Sequence, residues 1–353
     1  MSFRSLVTLI AILGGGMLAV SGFAQTGRLS PGNFLEESEL MQFVSIETFE
    51  VRIELIARGE FVMRELNFQL EDPSVVTPQE QERLIARSVG HFANYFTFFP
   101  DGLALAPSES QASVLRLGAI DSVVKEDLVS ETPGDLVIGI AYVYPLDQIL
   151  SSFDLSWNRL PEGVDRLPLQ LSTPNGFEMY ELSEFAPNIN WMREGEPFEL
   201  PSVEPVAIAN RSWWGRPKMD ATSAIPVLEQ ILENIYRAFE YPTEEAIYDN
   251  LAKSVAGDTL ADLYLEYRRR IEKVARGGPR VKVLDLSVGS VGGVDRVDGG
   301  VEVDASWTVS GQITHFGHVH ERINEYRARV RLTADEEIWK LLQIEIIEEN
   351  RLR

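Results

Sequence analysis

The sequence contains no cysteine among its 353 residues. This absence excludes disulfides, thiolate metal sites, a cysteine nucleophile and a lipid-modified amino-terminal cysteine. The stability of the folded chain must therefore come from its packed cores alone. The hydrophobic content of 44% is sufficient for such cores, and the length favours two domains.

Basic residues are few in comparison with acidic ones. The chain has 32 Lys and Arg against 54 Asp and Glu, which gives a net charge of -22. Such a field repels phosphate backbones, so the composition excludes nucleic acid as a partner. The largest basic cluster is Arg268, Arg269 and Arg270, and we interpret it as the solvated face of a helix.

Long apolar runs are absent beyond the first residues. There, Arg4 precedes the apolar residues 6–20, and the small residues Gly22 and Ala24 follow. This order is typical of a signal peptide, which we predict over residues 1–24 with cleavage after Ala24. The apolar run is short for a membrane span, which needs about 20 apolar residues. We therefore expect a periplasmic or secreted protein without stable membrane insertion; the alternative is an anchor formed by an uncleaved signal.

The strong catalytic motifs are also missing. The sequence has no G-x-S-x-G, no H-E-x-x-H, no P-loop and no dinucleotide fingerprint. Residues 289–300 are rich in glycine, but they precede a predicted strand and not a helix, so we interpret them as a turn and not as a phosphate site. These absences favour binding over catalysis.

The composition that remains predicts an α+β protein. Residues 25–48 form a polar leader that we expect to be loosely held, and a β-rich, sandwich-like domain follows over residues 49–195. Thr77 and Pro78 mark the start of a helix predicted to extend to residue 96. Short strands are predicted at 49–56, 61–70, 95–99, 103–106, 136–144, 153–157 and 167–171.

A proline-rich linker, residues 196–222, separates this domain from the second one. It contains the adjacent residues Trp213 and Trp214. We expect them to fill the crevice between the two domains, since buried tryptophan most often serves packing. The alternative is an aromatic platform for a sugar or for a protein partner.

The second domain, residues 223–353, shows three helical patterns followed by about four strands. Strand residues 301–309 alternate between apolar and polar side chains, with Trp307 on the apolar face. From residue 318 onward a second alternation assigns one set of side chains to the interior. A bulge near Gly317 would reverse this assignment. The inward set is His318, His320, Arg322, Asn324, Tyr326, Ala328 and Val330.

An inward face that is apolar at one end and polar at the other is typical of a ligand pocket. We therefore predict a small-ligand pocket in this domain. The candidate lining residues are His318, His320, Arg322, Asn324, Tyr326, Tyr236 and Trp307.

The carboxyl-terminal region resembles the NTF2-like (SnoaL-like) superfamily. The similarity lies in the helical segment LADLYLEYRRRIE and in the strand segments SWTVSG, HFGHVHERINEYRARV and EIWKLLQIEII, in that order. The resemblance implies a cone of three helices packed on a curved antiparallel sheet. The superfamily contains isomerases, dehydratases and binding modules without catalysis, so the resemblance implies a function of one of these kinds. It also implies homodimers formed through the open sheet. The whole chain looks like a two-domain bacterial secreted protein.

Three histidines, His315, His318 and His320, form the pattern H-x-x-H-x-H. Two imidazoles at i and i+2 on one strand can bind a common metal ion, with Glu321 or a distant aspartate as a further ligand. The alternative is that these histidines are hydrogen-bonded and have a structural role. Apart from this metal site, the sequence predicts no cofactor.

An acid/base enzyme is a second hypothesis. His318 or His320 would act as the base, with Tyr326 or Arg322 polarising a carbonyl. Tyr236, Asp249 and Tyr264 on the helices could complete the site, although residues of these types on helices usually pack, cap or face solvent. We favour a third hypothesis, in which the protein is a non-catalytic binding or adaptor protein of the bacterial envelope. Its partner would be a protein or a small ligand.

Overall fold

The computed structural model describes residues 38–117, 122–125, 127–173, 176–195, 202–213, 217–275, 280–316 and 318–352. Within these ranges, the side chains of residues 122, 123, 270–275, 280, 281, 314, 315 and 318–320 are not described. The chain combines helices with several sheets, which confirms the predicted α+β class. The predicted signal peptide lies outside the described residues. In the part of the chain that is described, no helix is both long and apolar enough to cross a membrane.

The first unit is built from two sheets and two helices. The helices are α1 (Gly59–Glu65) and α2 (Pro78–Phe92). The strands are β1 (Leu40–Ile46), β2 (Glu50–Arg58), β3 (Phe96–Pro100), β4 (Glu109–Leu117), β5 (Ser122–Val124), β6 (Val137–Pro145), β7 (Ser152–Trp157), β8 (Arg166–Thr173), β9 (Gly176–Ser183) and β10 (Asn188–Met192). The seven-stranded sheet has the order β5-β4-β6-β2-β1-β8-β9, and the three-stranded sheet has the order β10-β7-β3.

The two sheets enclose one apolar core. Leu55, Ile140 and Leu169 come from the large sheet and Phe98 and Leu155 from the small one, and all are buried in the same cluster. Alternate residues of each strand point into this core because successive side chains of a strand face opposite sides. The opposite face of the large sheet is therefore left for a second set of contacts.

Helix α2 begins where the sequence predicts. The hydroxyl of Thr77 accepts a hydrogen bond from the backbone N–H of Glu80 at 3.3 Å, and the Glu80 carboxylate accepts one from the N–H of Thr77 at 2.9 Å. This reciprocal pair is a capping box. The helix ends at Phe92, short of the predicted residue 96, because Phe96 is the first residue of β3.

Three local predictions for the first unit are wrong. Residues 40–46 are not a loose leader but the buried strand β1, in which even Gln42 is fully buried and accepts a hydrogen bond from Trp157 Nε1 at 2.9 Å. Residues 59–65 are helical, since Phe61 packs against Phe92 on α2. Residues 103–106 form no strand, and one isolated bridge joins Leu105 to β3.

Part of the predicted linker belongs to the second sheet. Residues Val206–Ala207 form β11, which pairs with residues 338 and 339. Val203 and Ile208 beside it are buried. Trp213 is 87% exposed, so the prediction that it fills a crevice is wrong, and Trp214 lies outside the described residues.

The second unit places its helices before a sheet of antiparallel hairpins. The helices are α3 (Ala221–Ala238), α4 (Glu244–Ala252) and α5 (Asp258–Ala275). The strands are β12 (Arg280–Val297), β13 (Gly300–His315), β14 (His318–Asp335) and β15 (Ile338–Arg351), in the sheet order β11-β15-β14-β13-β12. Apolar residues of α3, α4 and α5 share one core with the inner face of this sheet.

The glycine-rich segment is a strand and not a turn. Residues 289–297 continue β12, with register shifts that mark bulges at Val288/Ser290 and Val291/Val294. The turn itself consists of Asp298 and Gly299, and Gly299 has a φ of 77° that a glycine adopts without strain. The predicted turn is therefore much too long, because bulges absorb the glycines within the strand.

Candidate functional site

The inner face of β13 and β14 carries the side chains that the alternation assigns to it. Val301, Val303, Ala305, Trp307 and Val309 of β13 are all buried. The structure likewise buries Asn324, Tyr326, Ala328 and Val330 of β14, and Arg322 on the same parity is partly buried. The alternation therefore identified the buried face correctly for residues 301–309 of β13 and 322–330 of β14, whereas the inward positions of His318 and His320 stay a prediction.

Trp307 and Tyr326 lie opposite each other on this face. They are directly paired in the register of β13 and β14. Their rings stack with centroids 5.6 Å apart at an angle of 22°. Cross-strand aromatic pairs of this kind stabilise a sheet and fix its register.

A polar network begins at Tyr326 and extends toward the hairpin end of β14. Asn324 Nδ2 donates hydrogen bonds to the Tyr326 hydroxyl at 3.0 Å and to Glu349 Oε1 at 2.8 Å, and the Tyr326 hydroxyl donates to the same Oε1 at 3.2 Å. Arg322 Nε donates to Asn324 Oδ1 at 2.8 Å. Three partners thereby fix the position of Asn324. The Arg322 guanidinium also lies near the Glu349 carboxylate, with Nη2 4.0 Å from Oε1.

The electrostatics of this network keep Tyr326 protonated. Burial is the main cause that raises the pKa of the Tyr326 hydroxyl far above its ordinary value, and the Glu349 carboxylate raises it further. The hydroxyl can therefore donate a hydrogen bond throughout the physiological range, but it cannot act as a base.

The indole N–H of Trp307 points into the same interior. Trp307 is 1% exposed, and its Nε1 makes no hydrogen bond with the described part of the chain. A buried donor without an acceptor costs about 1–3 kcal/mol. The face therefore offers one N–H group to which an acceptor could bind.

The three histidines stand at the closing end of the β13–β14 hairpin. The backbone of His315 pairs with that of His318, and the backbone of His320 pairs with that of Ile313. Their side chains are not among those described, so the predicted metal site stays a prediction. Among the side chains that the structure does describe, no group of three His, Asp or Glu residues could hold a metal ion.

The helix residues considered for the acid/base site have other contacts. Tyr264 donates its hydroxyl to Glu244 Oε2 at 2.6 Å near the surface and meets the Tyr248 ring edge-on. Asp249 is exposed, and Tyr236 is half-buried against the core of the second unit. The hydroxyl of Tyr264 is therefore bound to α4 and not to the network of Asn324.

The tip of the same hairpin contacts the first unit. Phe316 adopts a φ of 43°, is 1% exposed and packs on the outer face of the large sheet. Its neighbours there form a small apolar cluster of Met41, Phe43, Ile56, Leu115 and Val137. This residue joins the strands of the candidate site to the first unit.

The outer face of the second sheet is charged and faces solvent. Arg329 Nε lies 3.2 Å from Asp304 and 3.6 Å from Glu302, and Arg327 Nη2 lies 2.7 Å from Glu348. These side chains are about half exposed. Ion pairs of this kind contribute little to stability but determine which surfaces can associate.

Sequence reasoning missed Glu349 and Phe316. Glu349 lies beyond the predicted end of the last strand at residue 347, whereas β15 continues to Arg351. Extending the alternation of β15 would not have revealed it, because a bulge at Ile347 shifts the inward parity from Ile344 and Ile346 to Glu349. Phe316 shows no periodic signal, because it lies in a turn and is buried by a different unit.

Comparison with known proteins does not assign this chain to a family. No family model matches the chain. No curated protein matches it. Matching solved structures include one titled "Crystal structure of intermembrane space region of chloroplast protein ARC6". That chain is 21% identical, and the match covers 37% of the present chain and 98% of the other, with a TM-score of 0.28.

Proposed function

We propose that this is an exported, non-catalytic binding or adaptor protein of the bacterial envelope, with a small-ligand site in its second unit. The observation that carries the ligand site is the cluster of the buried Trp307, Asn324 and Tyr326 with the partly buried Arg322 and Glu349. It offers an indole donor that lacks an acceptor, beside amide, hydroxyl and guanidinium groups on an otherwise apolar face.

The architecture of the second unit supports an NTF2-like cone. Three helices precede an antiparallel sheet and cover its inner face, which is the order of elements on which the resemblance rests. A cone of this kind places its ligand between the helices and the sheet. The polar end of β14 lies on that side.

Binding is favoured over acid/base catalysis because the sequence lacks the strong catalytic motifs. The state of Tyr326 fits both functions, since a hydroxyl held protonated by burial can orient a ligand oxygen or polarise a carbonyl. The strand from His315 to His320 remains the alternative, as a base or as a metal site. The experiment on the ligand also tests the metal site.

Native mass spectrometry with elemental analysis, on protein exported by a bacterial host, tests the ligand site. We expect the mass of a chain that begins at Gln25, with a small molecule bound. The Asn324→Ala variant should lose this molecule, because it lacks the amide that orients the network. Trp307→Phe is the matched variant, since it keeps an aromatic ring, although a smaller one, and removes the N–H.

The other outcomes separate the alternatives. A stoichiometric metal that disappears in His318→Ala and His320→Ala would replace the ligand site by the metal site. A ligand-free and metal-free wild-type protein would overturn the pocket. A measured mass that includes residues 1–24 would contradict the prediction that the signal peptide is cleaved.

We further propose homodimerisation through the outer face of the second sheet. This face carries the ion pairs of Arg327 and Arg329, which could exchange between two copies. Such a dimer should dissociate between about 0.05 M and about 1 M salt, because exposed ion pairs are screened. Sedimentation that shows a monomer at both salt concentrations would overturn it.

A further inference from the structure

The inner face of the large sheet changes from apolar to polar at the β8–β9 hairpin. On β9, Leu182 is buried in the core of the first unit, Tyr180 packs against that core, and Glu178 is exposed. On β8, Thr173 follows the core residue Leu171 on the same face and is only partly buried. Alternate residues of a strand share one face, so this face continues beyond the core with polar side chains.

The small sheet shows the same change along β10. Ile189 is buried in the core, and Trp191, on the same parity, is partly buried. Trp191 pairs directly with Phe153 of β7, and their rings stack with centroids 5.6 Å apart at an angle of 25°. Arg193 follows on the same parity, and its backbone N–H donates to the carbonyl of Ser151 at 2.9 Å. The indole and the guanidinium therefore come from one well-paired strand.

These two polar ends line one cleft of about 300 Å³. Thr173, Glu178 and Tyr180 line it from the large sheet, and residues 190–194 line it from the small one. The cleft is thus the open end of the sandwich, where the two inner faces no longer carry core residues. Its volume is at the lower end of the range of about 300–1,000 Å³ for ligand pockets, so it suits a small ligand.

Hydrogen bonds orient several of the polar groups in the cleft. The Tyr180 hydroxyl donates to Glu178 Oε2 at 2.5 Å. Burial is the main cause that raises the pKa of this hydroxyl to about 12, and its bond to Glu178 raises it further, so the hydroxyl stays a donor. The amide of Asn190 donates to the carboxylate of Asp154 on the neighbouring strand. A ligand would therefore meet side chains whose positions are already fixed.

The charges that line the cleft favour a neutral ligand. Glu178 and Glu194 contribute carboxylates, and Arg193 contributes a guanidinium. The carboxylates disfavour an anionic ligand, and the guanidinium disfavours a cationic one. Hydroxyl groups both donate and accept hydrogen bonds, so a ligand with several hydroxyls can bind to all three side chains. A sugar has such hydroxyls and also an apolar C–H face that can pack on an aromatic ring such as that of Trp191.

We propose that this cleft binds a neutral saccharide. One sugar ring packs on Trp191, its hydroxyls donate to the carboxylate of Glu178, and they accept from the guanidinium of Arg193. The site lies in the first unit, whereas the ligand site around Asn324 lies in the second. It therefore goes beyond the proposed function and does not rest on it.

The experiment is an array of neutral, acidic and cationic oligosaccharides probed with the full-length protein, followed by calorimetric titration of the strongest neutral saccharide. Trp191→Ala should weaken binding about tenfold or more, because it removes the ring on which the sugar packs. Trp191→Phe should weaken it about threefold, since a smaller ring still stacks on Phe153 and keeps the contact between β10 and β7. Trp213→Ala is the control. That residue is 87% exposed outside the cleft, and its loss should change the affinity less than about twofold.

Salt gives a second, independent measurement. The affinity for a neutral saccharide should be the same at about 0.05 M and about 1 M salt, because no charge on the ligand is screened. Glu178→Gln should weaken binding about threefold, since a neutral acceptor forms weaker hydrogen bonds than a carboxylate. Binding of acidic or cationic saccharides alone, strong salt dependence, no binding on the array, or equal affinities of Trp191→Ala and wild type would overturn the site. Asn324→Ala should bind the saccharide normally, so failure of the pocket in the second unit is distinguishable from failure of this cleft.

Discussion

The ring of Phe316 lies so close to Gly139 that no side chain fits between them. A Cβ on Gly139 would stand 2.6 Å from Cε1 and Cζ of Phe316 and 2.7 Å from Cδ1 of Leu115. Phe316 belongs to the second unit and Gly139 to strand β6 of the first. The two units are therefore in contact through an aromatic ring that packs directly on the backbone of β6.

We expect Phe316→Ala to reduce the free energy of unfolding by about 3–5 kcal/mol, because it leaves a cavity in this contact. Denaturant unfolding measures the change. Phe185→Ala is the control, since that ring is 95% exposed and its removal should change stability by less than about 0.5 kcal/mol. Equal effects of the two variants would show that Phe316 does not join the units.

Gly139→Ala should reduce the free energy of unfolding of the wild-type protein. The reduction should be measurably smaller in the Phe316→Ala background, since the clash with the ring is then absent. The contact with Leu115 remains in both backgrounds, so the difference isolates the ring. Denaturant unfolding of the four proteins of this cycle provides the values. Additive effects would contradict the contact.

Tyr326→Phe should cost about 1 kcal/mol or more of stability, because it removes a buried hydroxyl that bonds to Asn324 and Glu349. Tyr264→Phe is a matched control. Its hydroxyl also donates to a glutamate, Glu244, but near the surface. Thermal unfolding of both variants should show a larger loss at Tyr326, and the reverse order would contradict a buried network.

Glu240 should make stability depend on pH in an unusual direction. Burial is the main cause that raises the pKa of its carboxyl above 4.5, and Glu47 of the first unit raises it further, whereas Lys282 and Arg237 oppose the shift. A raised folded-state pKa means that stability is fully present below the unfolded-state pKa and is lost as pH rises from that value through the folded-state pKa.

We therefore expect Glu240→Gln to raise the melting temperature at pH 7, with a gain that disappears as the pH falls below about 4.5. Glu245→Gln, on an exposed position of α4, is the control and should change little. A gain for Glu240→Gln that is the same at all pH values would show that titration is not the cause.

Local patterns predicted the second sheet well. The alternation around Trp307 and Tyr326 depends on which side of one strand is buried, and this is encoded in neighbouring residues. The start of α2 was likewise predictable, because Thr77, Pro78 and Glu80 are sufficient to form its cap.

Contacts between distant segments were not predictable. β1 looked like a polar leader because Gln42 and Ser45 are polar, yet both are buried once β8 and Trp157 lie beside the strand. Phe316 is buried by a different unit, so no periodicity within its own hairpin indicates it. The two-residue turn at Asp298 and Gly299 was not recognised among glycines that belong to bulges.

The pairing of β1 also has a consequence for the time course of folding. Gln42 pairs in parallel with Leu169, far downstream, whereas the hairpins of the second sheet join strands that are adjacent in sequence. Local pairings form quickly, and distant ones must wait for the intervening chain. Until β8 arrives, one side of an apolar strand stays uncovered, so the first unit should fold last and be the part most prone to aggregate.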